Sequence, residues 1–145
     1  MSTEKHEMQL THAWRYFELH ANQRLSLIRY YILLYTLYIS GCGYFFVRSA
    51  NKAVQLPDLI TPISIAFICI TIIFYILDNR NRQLIKLAEA SLIEREKEIG
   101  FKDPHNIFTI DEQTSSKSNK LRHTDCFRAL FLIAMTTALM ITFLL

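Results

Sequence analysis

Of 145 residues, 51% are hydrophobic and only 20% are Asp, Glu, Lys or Arg, with a formal net charge of +3. That length accommodates one compact domain, that charge is too small and too dispersed for a nucleic-acid surface, and that much apolar sequence exceeds what a soluble domain of this size can bury. Charge is also segregated, with none between Asp58 and Asp78 and none after Arg128.

The opening "MSTEKHEMQLTHAW" holds no early apolar core and no small-residue cleavage site, so no removable signal peptide is expected. Residues 1–25 read as an N-terminal amphipathic helix, because Leu10, Trp14, Phe17, Ala21 and Leu25 recur every 3.6 residues while Arg15, Glu18 and Gln23 fall on other faces. Such a helix either lies in the membrane interface, anchored by Trp14, or docks a partner or a neighbouring subunit. Trp14, Phe17, His20 and Arg24 are its candidate contacts, with His20 read as a packing or capping residue rather than a catalyst.

Residues 26–77 predict a two-span hairpin. An apolar helix crosses a ~30 Å hydrocarbon core with about 20 residues, a length met by Leu25–Val47 and by the uninterrupted run Leu59–Leu77. On the first span Tyr31, Tyr35, Tyr38 and Cys42 share one face. A phenol near mid-bilayer needs a hydrogen-bond partner or water. This face therefore turns either toward the other spans or toward an oligomer's central cavity with Arg29 at its mouth. Gly41 and Gly43, in "SGCG", permit close helix approach.

Residues 78–125 predict a cytoplasmic helix and a flexible loop. Ala, Leu, Glu, Lys and Arg dominate up to Gly100, so the second span continues straight out of the membrane and Gly100 caps it. Leu84, Leu87, Ala88, Ser91 and Leu92 form a narrow apolar stripe, suited to a helix contact either within the chain or between subunits. Arg80 and Arg82 stand where this helix leaves the membrane. Residues 103–120 read as a loop with Ile107, Phe108 and Ile110 as a local anchor and a mobile "TSSKSNK". Residues 126–145 predict a third span, apolar on every face; a two-span alternative would leave this run on the membrane surface, but it lacks the amphipathic period for that.

With three spans, fourteen of the sixteen basic residues lie on one side. The positive-inside rule makes that side cytoplasmic and puts the C-terminus in the periplasm. Cys42, Cys69 and Cys126 have no metal spacing, and the five histidines show no paired-ligand motif. No span holds Asp, Glu or His. The expectation is a non-enzymatic chain with no metal and no cofactor, whose partners are membrane lipid and other copies of itself.

"WRYFELHANQRL" (14–25), "LDNRNRQLIKLAEASLIERE" (77–96) and "NIF" (106–108) resemble the RipA-family octameric membrane proteins and the few-span effectors of bacterial antiphage systems such as retrons. The resemblance implies an all-α homo-oligomer, an octamer on that pattern, in the bacterial inner membrane. It also implies a toxin-like role: held silent by a soluble regulatory or ribonucleoprotein partner, then released to permeabilise the membrane. The competing expectations are a non-conducting scaffold that recruits a soluble partner through its cytoplasmic helices, and a regulatory subunit of a larger transporter.

Overall fold

A computed structural model describes residues 2–50, 56–99, 108–110 and 123–144. The chain is all-α: α1 is Ser2–Ala50, α2 is Leu56–Ile99 and α3 is His123–Leu144, with a short helical piece at 108–110. At ~1.5 Å of rise per residue each exceeds ~30 Å, and each contains a segment long and apolar enough to cross a membrane.

The helices are longer than the sequence pattern alone suggests. The leading amphipathic stretch and the first span form one helix from Ser2, since no Gly or Pro interrupts the chain before Gly41. The helix that holds the second span starts at Leu56 and, as its composition predicts, runs without a break into the charged stretch up to Ile99. Pro62 sits inside it and removes the N–H that would serve the Asp58 carbonyl; membrane helices tolerate this where neighbouring groups or local adjustment satisfy the freed carbonyl. The expected Gly100 cap, Ile107 and the "TSSKSNK" stretch lie outside the described residues.

Two compact units are built from these helices, one from Met1–Leu25 with Asn79–Leu121, the other from Ser26–Asp78 with Arg122–Leu145. The second, apolar unit has a core of Ile28, Tyr31, Tyr38, Phe67, Phe131, Ala134 and Ala138. Ala134 and Ala138, one turn apart on α3, are both 0% exposed. Small residues at that spacing let helix backbones approach closely where lipid offers no hydrophobic drive to association. The glycines of α1 do not serve this purpose within the chain: a Cβ at Gly41 or Gly43 would meet nothing within 4 Å.

Much of the outer surface of this unit is apolar. Leu33, Leu37 and Phe46 of α1, Ile65, Ile73 and Ile76 of α2, and Leu132, Ile133, Met140 and Phe143 of α3 are all exposed. Water does not tolerate an apolar surface this extensive, whereas acyl chains match it.

The first unit combines buried Ala13 from α1 with buried Ala88, Leu92 and Glu96 from α2. The predicted stripe is split: Ala88 and Leu92 are buried within the chain, Leu84 and Ser91 are half-buried, and Leu87 remains 65% exposed.

Two small-residue substitutions separate these roles. Ala138→Leu should lower the thermal stability of the detergent-solubilised protein by about 1–3 kcal/mol through overpacking. Gly43→Ala should be neutral or stabilise by up to about 1 kcal/mol, because helix propensity improves and nothing is crowded.

Candidate functional site

The tyrosine face of α1 carries three hydroxyls into the apolar unit, and each of them is paired. Tyr31 Oη lies 3.1 Å from Thr71 Oγ1 on α2, Tyr38 Oη lies 2.8 Å from Ser64 Oγ on α2, and Tyr35 Oη lies 3.3 Å from Thr137 Oγ1 on α3. Directions follow from proton supply. Thr71 donates its hydroxyl proton to the Phe67 carbonyl at 2.9 Å, and Thr137 donates its own to the Ile133 carbonyl at 2.7 Å. Each therefore has only lone pairs left for the phenol, so Tyr31 and Tyr35 are the donors.

Ring packing reinforces these pairs. Phe67 stacks on Tyr38 with centroids 4.1 Å apart and planes 6° from parallel, and it also faces Tyr35 at 6.0 Å. Tyr31 meets Phe131 of α3 at 4.6 Å and Phe74 of α2 at 5.3 Å. Tyr31, fully buried, thus touches both other spans. Its role in the chain is to join three helices with one ring and one hydroxyl.

The candidate residues of the first span do not share one surface. Tyr31 and Tyr38 are buried and Tyr35 half-buried among the chain's own helices, Gly41 is half-buried, and Arg29 and Gly43 are exposed. Arg29, Leu33, Thr36, Ser40, Gly43 and Val47 follow i, i+4, i+7, i+11, i+14, i+18 spacing, which puts them on one face opposite the phenols. All six are exposed. Thr36 satisfies its own hydroxyl on the Ile32 carbonyl at 2.9 Å. Farther along α1, the Arg48 guanidinium donates to Tyr44 Oη at 2.6 Å and lies 5.9 Å from its ring centre.

In the other unit Trp14 and Phe17 stack at 5.8 Å, and Phe108 meets both edge-on, at 6.1 and 5.7 Å. His20 packs its ring 4.3 Å from Tyr16 and bonds Gln23 Oε1 at 2.9 Å, which is a packing role. Arg24 and Arg82 are half-buried and Arg80 exposed. The residue that sequence reading missed is Glu96. Its buried carboxylate accepts the backbone N–H of Phe108 at 3.2 Å, and the N–H and hydroxyl of Thr109 at 3.1 and 3.0 Å. A carboxylate capping the free N–H groups that open a helical piece is favourable in both hydrogen bonding and dipole. The signal in the sequence is slight, since Glu96 sits in "EREKE" among four other charged residues.

The same unit holds a groove of about 840 Å³, with buried Ala13 and Ala88 and the more exposed Met8, Tyr16, Leu87 and Ala90 in its lining. Among the described residues, no three His, Cys, Asp or Glu side chains are grouped to hold a metal ion.

No family model and no solved structure matches the chain. CD-NTase-associated protein 19 of Escherichia coli is 32% identical to it over 134 residues, covering 90% of this chain and 85% of that protein. The chain belongs to the family of CD-NTase-associated protein 19. The uncovered tenth of the chain is shorter than α3, the shortest of the three helices, so the likeness to this relative reaches into all three.

The pairing geometry makes two expectations measurable. Tyr38→Phe should cost about 0.6 kcal/mol and at most about 1.7 kcal/mol, the range for interhelical hydrogen bonds in membranes, and a double-mutant cycle with Ser64→Ala should assign that coupling to this pair. Glu96→Ala should leave the spans intact and strip hydrogen-exchange protection from the Phe108 and Thr109 amides.

Proposed function

We propose that this chain is a membrane effector of bacterial antiphage defence, which assembles with copies of itself in the inner membrane and permeabilises it once a partner releases it. The defence part is supported by membership in the family of a protein whose name associates it with a CD-NTase. The three apolar helices support the membrane part. The segregation of basic residues supports an orientation with residues 1–25 and 78–125 in the cytoplasm and the C-terminus in the periplasm. The RipA-family and retron-type resemblance of residues 14–110 supports a homo-oligomer, an octamer on that pattern.

The single observation that carries the permeabilising role is the face of α1 on which Arg29, Thr36, Ser40 and Gly43 stand among Leu33 and Val47, polar and small residues on the exposed side of a span. Polar and ionisable groups in spans face protein or water-filled space in preference to lipid. The phenols already point inward and are satisfied within the chain, so the contact between copies, and any permeation path there, is made by the opposite face. This moves the cavity-facing role from Tyr31, Tyr35 and Tyr38 to Thr36 and Ser40, and keeps Arg29 and Gly43.

A second reading is a non-conducting scaffold, favoured by the 840 Å³ groove and the exposed Leu87 beside it. On that reading a soluble regulatory partner docks in the groove and nothing crosses the membrane.

The two readings part on flux. Full-length protein expressed alone should depolarise the host membrane and arrest growth, and in dye-loaded vesicles it should cause leakage. A Thr36→Leu, Ser40→Leu double substitution should abolish leakage without lowering thermal stability, whereas Leu87→Asp should leave leakage in place. Absence of both depolarisation and leakage would exclude the permeabilising role, and loss of partner capture by Leu87→Asp alone would then favour the scaffold.

A further inference from the structure

Between α2 and α3, within the apolar unit, lies a groove of about 410 Å³ lined by Thr71, Ile72 and Tyr75 on one side and Arg128, Phe131, Leu132 and Met135 on the other. Both sets follow i, i+3/i+4 spacing, so each helix contributes one face. The volume lies within the usual range of small-ligand pockets. From Arg128 to Met135 is seven residues, ~10 Å of helical rise, or about a third of the hydrocarbon thickness.

The floor is formed by Phe131 and Thr71, both buried. Thr71 has no proton left to donate to a phosphate, because its hydroxyl donates to the Phe67 carbonyl while accepting from Tyr31. Tyr75 closes one wall with its ring edge-on to Phe131 at 6.0 Å. The rims, Ile72, Tyr75 and Leu132, are exposed. Charge enters at one place: Arg128, exposed and the lining residue nearest the N-terminus of α3. Beyond it the same helix holds no further charge through Leu144.

We propose that this groove is a site for one anionic phospholipid, its phosphate on the Arg128 guanidinium and the upper part of an acyl chain laid against Ile72, Phe131, Leu132 and Met135. Three facts point to a lipid rather than a soluble anion or a polar metabolite. The groove is apolar except at one end. That end carries the one charged side chain of the lining, of the sign a phosphate requires. And the lining residues lie in segments apolar enough to span a bilayer, where the solvent that reaches them is acyl chain. The site goes beyond the permeabilising role and does not depend on it; it requires only that α2 and α3 cross the membrane.

Native mass spectrometry of the full-length, delipidated protein in detergent tests this, with phosphatidylglycerol, phosphatidylcholine of the same chains, glycerol phosphate and inorganic phosphate added in separate arms. Phosphatidylglycerol should remain bound at one copy per chain, in preference to phosphatidylcholine, while glycerol phosphate and inorganic phosphate should not. Arg128→Gln should weaken phosphatidylglycerol retention about fivefold, the effect of one basic side chain at an anionic headgroup, and Arg128→Lys should recover most of it. Leu132→Trp, which fills the groove from its exposed rim, should reduce retention of both lipids with the fold intact by circular dichroism. Equal retention of the two lipids, unchanged binding in Arg128→Gln, or retention of inorganic phosphate would overturn the assignment. So would loss of the oligomer in Leu132→Trp with lipid retention unchanged, since a second copy would then be the occupant. Leakage from vesicles is a separate readout, so failure here leaves the permeabilising proposal standing or falling on its own test.

Discussion

A hydroxyl in hydrocarbon must find a partner, and the apolar unit of this chain is organised around that demand. Three phenols on α1 could not face acyl chains without leaving their protons unpaired at a cost of several kcal/mol each. Ser64, Thr71 and Thr137 supply the acceptors from α2 and α3. The pairs specify which faces meet and in what register, because each phenol meets a hydroxyl at one position of a facing helix. Interhelical bonds of this kind are individually modest, so their contribution is to select one packing among many that apolar contact alone would allow. Phe67 and Phe131 then fill the space between the phenols, and Ala134 and Ala138 let α3 come close enough for Thr137 to be reached.

Once the tyrosine face is spent on holding three helices together, the remaining faces of α1 acquire meaning. The side that holds Arg29, Leu33, Thr36, Ser40, Gly43 and Val47 is exposed, with polar and small groups set among apolar ones. Packing within the apolar unit is thus made by one side of the span, and the opposite side takes no part in that core.

The more charged unit uses a different device. Its helix contact is made by small residues, Ala13 and Ala88, with Leu92 buried alongside, and its distant segment 108–110 is tied back by one carboxylate. Glu96 binds the segment through backbone N–H groups while Phe108 wedges against Trp14 and Phe17, so a polar and an apolar anchor act on adjacent residues.

Composition and periodicity alone determined that this is an all-helical chain with three segments able to cross a membrane: uncharged, apolar runs of 17 to 19 residues have few other physical outcomes. The anchor role of Phe108 was also legible, within the apolar cluster Ile107, Phe108 and Ile110; of the other two, Ile110 is exposed and Ile107 lies outside the described residues. The partner of each phenol was not. Tyr35 and Thr137 are 102 residues apart, and a need for a hydrogen bond, which any sequence reader can infer, does not say whether water, a neighbouring subunit or a threonine of the same chain fulfils it. The same holds for Glu96, whose carboxylate looks like any surface charge until the fold carries a pair of free N–H groups to it. Local pattern decides what a helix is; which of its faces is spent within the chain and which is left for lipid or another copy is a matter of long-range geometry, and only the tertiary structure contains it.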